Sequence, residues 1–304
     1  MINRKSETSV ATAPNSMGKS KAFILIRVVN RIMRVAILTV ALSGCTMTPK
    51  TTLTADDSGT FSFPANSYWK GKNVNPVGTL KLPENVEDKV PLMILVHGTG
   101  GVGYRESTWS SFLGDHGIAT FILNYFAPRN VKPSDREIPQ PPQDVWGALK
   151  VLATHPRIDN DRVAIMGFSN GATITLISNG YISTSDTGGI EPKAYFMLYG
   201  GCARDSIGNN APDASYRFLV GSEDTLISVA NCMRQQTNGQ KLGKDVKTLV
   251  FPGVHHGFDG NRSHNFYHSK WGWVVMKPDQ SATESARVEV IETLIQVFGA
   301  DRVR

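Results

Sequence analysis

The chain has 304 residues, of which 40% are hydrophobic and 19% charged, a composition typical of a globular protein with a substantial buried core. Its formal net charge is +6, but residues 1–44 hold seven Lys and Arg side chains and one acid, so the remainder carries 25 basic and 25 acidic residues. This balance argues against nucleic acid or another polyanion as a partner.

The first 44 residues are typical of an export signal. Basic residues precede the apolar run "VAILTVAL", which is too short to span a bilayer, since a spanning helix needs roughly 20 residues. The run ends in "LSGC", which resembles the lipobox of bacterial lipoprotein precursors and implies lipidation of Cys45. We therefore expect an exported, periplasmic lipoprotein that contacts the membrane only through this anchor. The alternative is an ordinary short helix with a chance Cys.

The segment after the signal is rich in threonine. Residues 45–60, "CTMTPKTTLTADDSGT", are predicted to form a flexible tether, which leaves residues 61–304 as the folded domain. At the start of that domain, "TFSF" and "GTLKLP" have the pattern of short antiparallel edge strands.

From residue 90 onward, apolar strand-like runs alternate with helical patterns. The runs are "VPLMILVHG", "IATFILNY", "RVAIMG", "AYFMLYG", "YRFLVG" and "VKTLVF". The helical patterns are "DVWGALKVLATH", "NGATITLISNG", "TLISVANCMRQQ" and a final helix with Ser281 as its predicted cap and Gly299 as its predicted stop. This alternation predicts an α/β fold with a mostly parallel central sheet flanked by helices on both faces.

Ligands bind such sheets at the carboxyl ends of the strands. The proline-rich segment 129–143 follows a strand, and we expect it to form part of the rim of the ligand site.

A nucleophile motif lies between the third run and the next helical pattern. In "GFSNG", Gly167 and Gly171 stand two residues before and after Ser169, as in the strand-to-helix turn of the G-x-S-x-G nucleophile elbow. Such a turn exposes the serine hydroxyl and directs the backbone N–H of Asn170 at the same point. The pattern predicts Ser169 as a catalytic nucleophile.

A serine nucleophile needs a base and a group that orients the base. In this arrangement the acid and then the histidine follow the serine along the chain. "SEDTL" offers Glu223 or Asp224 after one strand, and "PGVHHGFDG" offers His255 or His256 after the next. Adjacent residues point in different directions, so one of each pair can face Ser169, and the residues alone do not choose between them.

The glycine-rich segment "HGTGG" follows the first parallel strand, where a second oxyanion donor is expected. Thr99 or Gly100 is the predicted backbone donor, and His97 is expected to be structural and buried beneath the loop. The overlapping segment "GTGGVG", residues 98–103, matches G-x-G-x-x-G, the pattern of a dinucleotide site. However, the acidic residue expected after the next strand is missing, because that strand ends on Asn124.

Two further groups of residues suggest other chemistry. "HNFYH" places His264 and His268 at i, i+4, a zinc-like spacing, but no H-E-x-x-H or nearby Cys accompanies it. We interpret the preceding "FDGNRS" and the following "SKWGW" as surface loop. Cys202 and Cys232 would be permitted to form a disulfide in an oxidising compartment; the alternative is two buried free thiols.

The order of "HGTGG", "GFSNGA", "SEDT" and "HHGFD" resembles the dienelactone hydrolase family of the α/β-hydrolase superfamily, over residues 90–298. The resemblance implies Ser169 as nucleophile, Asp224 as acid, His256 as base and a Cys202–Cys232 disulfide. It implies a small-molecule ester or lactone substrate and no metal or organic cofactor. The best-known members use a Cys nucleophile, which is Ser169 in this chain.

The sequence therefore predicts a serine hydrolase acting on a carboxylic ester or lactone. Two alternatives are a peptidase or amidase using the same triad, and a non-catalytic lipoprotein that keeps the hydrolase fold as a binding module. An intact triad argues against the second alternative.

Overall fold

The computed structural model describes residues 47–84, 88–180, 183, 185–203, 207–208, 211–268 and 272–303. Residues 47–304 form one compact unit. The predicted export signal and the lipidation site Cys45 lie outside the described residues. Within the described ranges, no helix combines the length and apolarity needed to cross a membrane.

The predicted α/β architecture is confirmed. Within the described residues, eight strands form one sheet. Across the sheet these strands are β1 (Gly59–Ser62), β4 (Val77–Lys81), β6 (Ala119–Asn124), β5 (Val90–Val96), β7 (Ile158–Phe168), β8 (Ala194–Leu198), β9 (Ser215–Gly221) and β10 (Asp245–Phe251). The strands from β6 to β10 in this spatial order are parallel. β1 and β4 add an antiparallel edge, as "TFSF" and "GTLKLP" predicted.

Helices cover both faces of the sheet because alternate side chains of its central strands enter two apolar layers. Leu92 and Ile94 lie in one layer and Met93 and Leu95 in the other, all fully buried. The first layer also contains buried residues of α2 (Pro142–Leu152), α3 (Asn170–Asn179) and α4 (Val229–Lys241). The second contains residues of α1 (Tyr104–Asp115) and α5 (Gln280–Phe298). Burial on both faces explains why the strands are almost continuously apolar.

Several element boundaries differ from the predictions. Helix α1 was not predicted, because its buried face includes the polar Glu106 and Ser110 and so lacks a clean apolar period. The predicted cap of α5 was wrong: Asp279, rather than Ser281, accepts the hydrogen bond from the Ala282 backbone N–H, at 2.9 Å. The helix does end at Phe298, directly before Gly299, as predicted.

Two short hairpins stand outside the main sheet. One consists of β2 (Ser67–Trp69) and β3 (Lys72–Val74). The other consists of β11 (His264–His268) and β12 (Gly272–Met276). Strand β12 contains Gly272 and Trp273, which belong to "SKWGW", one of the two segments that we interpreted as surface loop. The interpretation was wrong for these two residues, whereas the other segment, residues 258–263, contains no helix or strand. The exposed side chains of Tyr267 and Trp273 pack against each other across the hairpin.

The segment predicted as a tether contacts the domain from Lys50 onward. The Lys50 N–H donates to the Ser62 carbonyl at 2.7 Å, and the N–H of buried Leu53 donates to Thr154 Oγ1 at 2.9 Å. Part of this segment is therefore held on the domain surface.

A disulfide joins the segment after β8 to helix α4. The sulfurs of Cys202, which follows β8, and Cys232, in α4, are 2.00 Å apart. Both residues are buried. The bond connects the end of one central strand to the helix that follows Asp224.

Candidate active site

Ser169 occupies the sharp turn between β7 and α3. Its backbone has φ 53° and ψ −113°, a conformation that costs a non-glycine residue about 1–3 kcal/mol and that commonly occurs at functional sites. Larger residues would clash at both flanking glycine positions. A Cβ on Gly167 would lie 2.3 Å from the Gly171 carbonyl oxygen, and a Cβ on Gly171 would lie 2.0 Å from the Val96 carbonyl oxygen. The turn has the geometry that the "GFSNG" pattern predicts.

The structure brings His256 and Asp224 together with Ser169. His256 Nε2 lies 3.0 Å from Ser169 Oγ, and His256 Nδ1 lies 2.7 Å from Asp224 Oδ2. Glu223 and His255, the alternatives to Asp224 and His256, do not take part in these contacts. Glu223 is exposed, and His255 Nδ1 donates to the Glu223 backbone carbonyl at 3.2 Å.

The Asp224 carboxylate is fixed by the turn that it begins. Its Oδ1 accepts hydrogen bonds from the backbone N–H groups of Leu226 and Ile227, at 2.9 and 3.2 Å. The other carboxylate oxygen, Oδ2, accepts a hydrogen bond from His256 Nδ1–H. Because Nδ1 carries the proton, His256 Nε2 is unprotonated and can accept the hydrogen bond from the Ser169 hydroxyl. The arrangement can remove the proton from the serine hydroxyl.

The candidate oxyanion donors lie next to Ser169 along the chain and in the glycine-rich loop. Thr99 and Gly100 line the same cavity as Ser169, and Asn170 is the first residue of α3, where N–H groups have no intrahelical acceptor. Gly98 eases the close approach of the loops, because a Cβ there would lie 3.0 Å from the Phe168 carbonyl oxygen. The oxyanion role of these three N–H groups stays a prediction.

A buried carboxyl group ends the glycine-rich loop. Glu106 Oε2 accepts a hydrogen bond from the Gly103 N–H at 2.8 Å, which fixes the point where the loop enters α1. Burial raises the pKa of Glu106. Glu106 was not among the predicted site residues, although a Glu three residues after a cap position is a known helix-start signal.

His97 lies beneath the loop, as predicted. Its Nδ1 donates to the Gly98 carbonyl at 2.7 Å, and its ring stacks on Tyr125 with 4.0 Å between centroids. Burial lowers the pKa of His97 to about 4, while the bond to Gly98 opposes that shift. His97 is therefore a neutral, structural side chain.

The Asn170 side chain attaches the elbow to the proline-rich rim. Its Oδ1 accepts from Gln140 Nε2 at 2.8 Å, and its Nδ2 donates to the Tyr125 hydroxyl at 3.0 Å. Pro133, in the same rim segment, lines the cavity. Segment 129–143 therefore borders the site, as its position after a strand predicted.

Asp259 forms a buried network beside the histidine that the sequence analysis did not predict. Its carboxylate accepts hydrogen bonds from Arg105 Nε at 2.6 Å, the Tyr199 hydroxyl at 2.7 Å and Trp109 Nε1 at 2.8 Å. The Tyr199 ring also packs edge-on against His256, with 4.8 Å between centroids. Through Asp259, the histidine loop is joined to the start of α1 and to the end of β8.

The alternative uses of the histidine and glycine motifs are not supported by the geometry. His264 and His268 belong to a strand, where residues four apart lie roughly 13 Å apart instead of on adjacent helical turns. Among the described residues, no group of three or more His, Cys, Asp or Glu side chains is arranged to hold a metal ion. Gly98, Thr99 and Gly100 of "GTGGVG" line the cavity that contains Ser169.

Comparisons with known proteins agree with this fold. The sequence model of the dienelactone hydrolase family matches residues 78–299. A comparison with curated protein sequences finds no match.

Three solved structures illustrate the likeness in fold. Esterase 2 of Thermogutta terrifontis, phosphorylated by paraoxon, is 11% identical, with a TM-score of 0.58 over 79% of this chain and 95% of its own. A dienelactone hydrolase-like promiscuous phosphotriesterase from metagenomic libraries is 14% identical, with a TM-score of 0.57 over 79% and 99%. MGS-M1, an α/β-hydrolase from a Medee basin deep-sea metagenome library, is 17% identical, with a TM-score of 0.56 over 79% and 99%.

Proposed function

The chain belongs to the dienelactone hydrolase family and is a carboxylic ester hydrolase, and we propose that it cleaves an ester or lactone through an acyl-enzyme on Ser169. The observation that carries the proposal is the continuous chain of contacts from Ser169 Oγ through His256 to Asp224, at 3.0 and 2.7 Å. A hydroxyl of ordinary pKa becomes a nucleophile when a base is held within hydrogen-bond reach.

In the proposed first step, Ser169 Oγ attacks the ester carbonyl carbon while His256 Nε2 takes the hydroxyl proton. Asp224 holds the imidazole orientation and stabilises the imidazolium that forms. The oxyanion accepts hydrogen bonds from the backbone N–H of Asn170 and of Thr99 or Gly100. His256 then gives its proton to the leaving alcohol, and the acyl group remains on Ser169.

In the second step, a water molecule attacks the acyl-enzyme. His256 removes a proton from that water, a second tetrahedral intermediate forms in the same oxyanion site, and its collapse releases the carboxylic acid. The proton on His256 returns to Ser169 Oγ. When the substrate is a lactone, acid and alcohol leave as one molecule.

The test is hydrolysis of p-nitrophenyl acetate and butyrate by the purified protein, with fluorophosphonate labelling as a second readout. Ser169→Ala and His256→Ala are expected to lower kcat by about a thousandfold or more, and Ser169→Ala is expected to abolish labelling. His255→Ala is the matched control, because it removes the neighbouring imidazole outside the contact chain. A folded wild-type protein that neither hydrolyses nor labels would favour the non-catalytic module instead.

We also propose that the protein is exported to the periplasm and anchored by a lipid on Cys45. The support is the "LSGC" sequence after a basic and apolar segment. Metabolic labelling with a radioactive fatty acid should mark the wild-type protein and leave Cys45→Ser unmarked. Equal labelling of the wild-type protein and Cys45→Ser would contradict lipidation of Cys45.

A further inference from the structure

The hairpin β11–β12 has one face toward the cavity and one toward solvent. Side chains alternate along a strand, so Phe266 and its neighbour across the hairpin, Val274, share a face, while Tyr267 and Trp273 share the other. Phe266 and Met276 line the cavity that contains Ser169. Tyr267 and Trp273 are each 67% exposed.

The hairpin is attached to both loops that carry the triad partners. Met276 forms an isolated parallel β-bridge with His256, and its methyl group packs over Gly257, where a Cβ would lie 2.6 Å from it. On the acid side, Thr225 Oγ1 donates to the Trp273 carbonyl at 3.3 Å. Because the hairpin is held at both triad loops, its cavity face has a defined position relative to Ser169.

Apolar side chains from two further segments line the same cavity. Leu226 comes from the turn that holds Asp224, and Pro133 comes from the proline-rich rim. With Phe266 and Met276 they form what we call the apolar wall. The cavity has a volume of about 410 Å³, near the lower end of the range of small-molecule sites. A compact apolar group can be buried against this wall while the carbonyl reaches Ser169.

The charge in the cavity is compensated. Among the described lining residues, Arg105 is the one Lys, Arg, Asp or Glu side chain. Its Nε is paired with the buried Asp259 carboxylate at 2.6 Å, so the pair as a whole carries no net charge. The cavity therefore lacks a net positive charge that would favour an anionic substituent over a neutral one.

We propose that the apolar wall makes this enzyme selective for neutral esters with a compact apolar acyl or alcohol group, and that Phe266 is a specificity-determining residue. This inference rests on the proposed hydrolysis at Ser169. Burial of each additional methylene is expected to raise kcat/KM about fourfold until the cavity is full.

The test compares kcat/KM for two ester series in the full chain. One series lengthens the acyl group, from p-nitrophenyl acetate to butyrate and hexanoate; the other lengthens the alcohol, from ethyl to butyl and hexyl acetate. The wild-type protein should favour butyrate over acetate, or butyl over ethyl, by about fifteenfold. The series that shows the rise identifies which portion of the ester contacts the wall.

Phe266→Ala should lower the butyrate-to-acetate or butyl-to-ethyl ratio of kcat/KM at least about threefold. Tyr267→Ala is the matched control, because it removes an aromatic ring from the opposite face of the same strand. Leu226→Ala provides a second change to the wall, should Phe266→Ala fail to fold.

Three outcomes would overturn the proposal. One is a flat chain-length profile in both wild-type series, and another is an equal effect of Tyr267→Ala and Phe266→Ala. The third is faster hydrolysis of the anionic p-nitrophenyl hemisuccinate than of butyrate, which would indicate recognition of a carboxylate by Arg105. Absence of activity of the wild-type protein toward every ester would contradict the proposed hydrolysis itself. Failure of the specificity proposal and failure of the proposed hydrolysis therefore give different results.

Discussion

The Tyr199 hydroxyl donates a 2.7 Å hydrogen bond to Asp259, three residues beyond His256. Burial raises the pKa of Tyr199 well above its ordinary value, which keeps the phenol protonated as the donor. Arg105 and Trp109 donate to the same carboxylate. This single buried anion therefore fixes the position of the histidine loop against two other elements of the site.

Asp259→Asn should destabilise the protein and lower its activity. The substitution removes the negative charge that is paired with Arg105, and breaking a buried ion pair costs about 3–5 kcal/mol of unfolding free energy. Loss of the histidine position should lower kcat about 10- to 100-fold in the molecules that remain folded, with a smaller change in KM. Urea unfolding and steady-state kinetics measure the two effects.

Asp301→Asn is the control for the loss of an ion pair. Asp301 contacts Arg302 at 3.0 Å, but its side chain is 74% exposed, so the expected change stays within about 1 kcal/mol. If Asp259→Asn were as mild as Asp301→Asn, Asp259 would not organise the site.

Gly171→Ala should prevent the elbow from forming. The added methyl would lie 2.0 Å from the Val96 carbonyl oxygen, and this backbone atom belongs to a central strand that cannot move aside. We expect a loss of about 3 kcal/mol in unfolding free energy and loss of fluorophosphonate labelling. Gly114→Ala, in α1, is the control, because a Cβ there meets nothing within 4 Å and alanine is the better helix former. Equal destabilisation by both would refute the steric argument.

The sequence predicted the parts of this fold that depend on local patterns. The central strands are buried on both faces and therefore consist almost entirely of apolar residues. The elbow requires small residues two positions before and after Ser169, and this spacing is visible in the sequence. The choice of Asp224 over Glu223 and of His256 over His255 came from the family resemblance. In each pair, both residues follow a strand end, and only the course of the loop determines which side chain turns inward.

Asp259 could not have been identified from the residues around it. The side chains that bind its carboxylate are Tyr199, Trp109 and Arg105, which are 60, 150 and 154 positions away along the chain. In the sequence, "FDG" resembles an ordinary turn. Helix α1 was missed for a related reason, since Glu106 on its buried face interrupts the apolar period that would have revealed it.

Removal of the Cys202–Cys232 bond should lower stability without changing the fold. The bond closes a loop of 30 residues, and the chain-entropy model gives about 3–4 kcal/mol for a loop of this size. Urea unfolding with and without dithiothreitol measures the change. The double variant Cys202→Ala/Cys232→Ala is the control, because its unfolding should not respond to the reductant. Equal unfolding free energies of the oxidised and reduced wild-type protein would contradict the prediction.

Stability should decrease as the pH falls from about 6.5 to about 4, in part because of His97. Burial lowers the pKa of His97 in the folded state to about 4, against 6.5 for an ordinary histidine. Between these values the unfolded chain binds a proton that the folded protein does not, so acid favours unfolding. The shift corresponds to about 3 kcal/mol, present in full above pH 6.5 and lost by pH 4.

The contribution of His97 is isolated by comparing pH slopes rather than absolute stabilities. His97→Asn removes the titrating ring and its stacking on Tyr125, so the variant should be less stable at pH 7. Its unfolding free energy should nevertheless fall by about 3 kcal/mol less than that of the wild type between pH 7 and pH 4. Parallel curves for the two proteins would mean that His97 is protonated as readily in the folded state as in the unfolded chain, which its buried position under the Gly98 loop argues against.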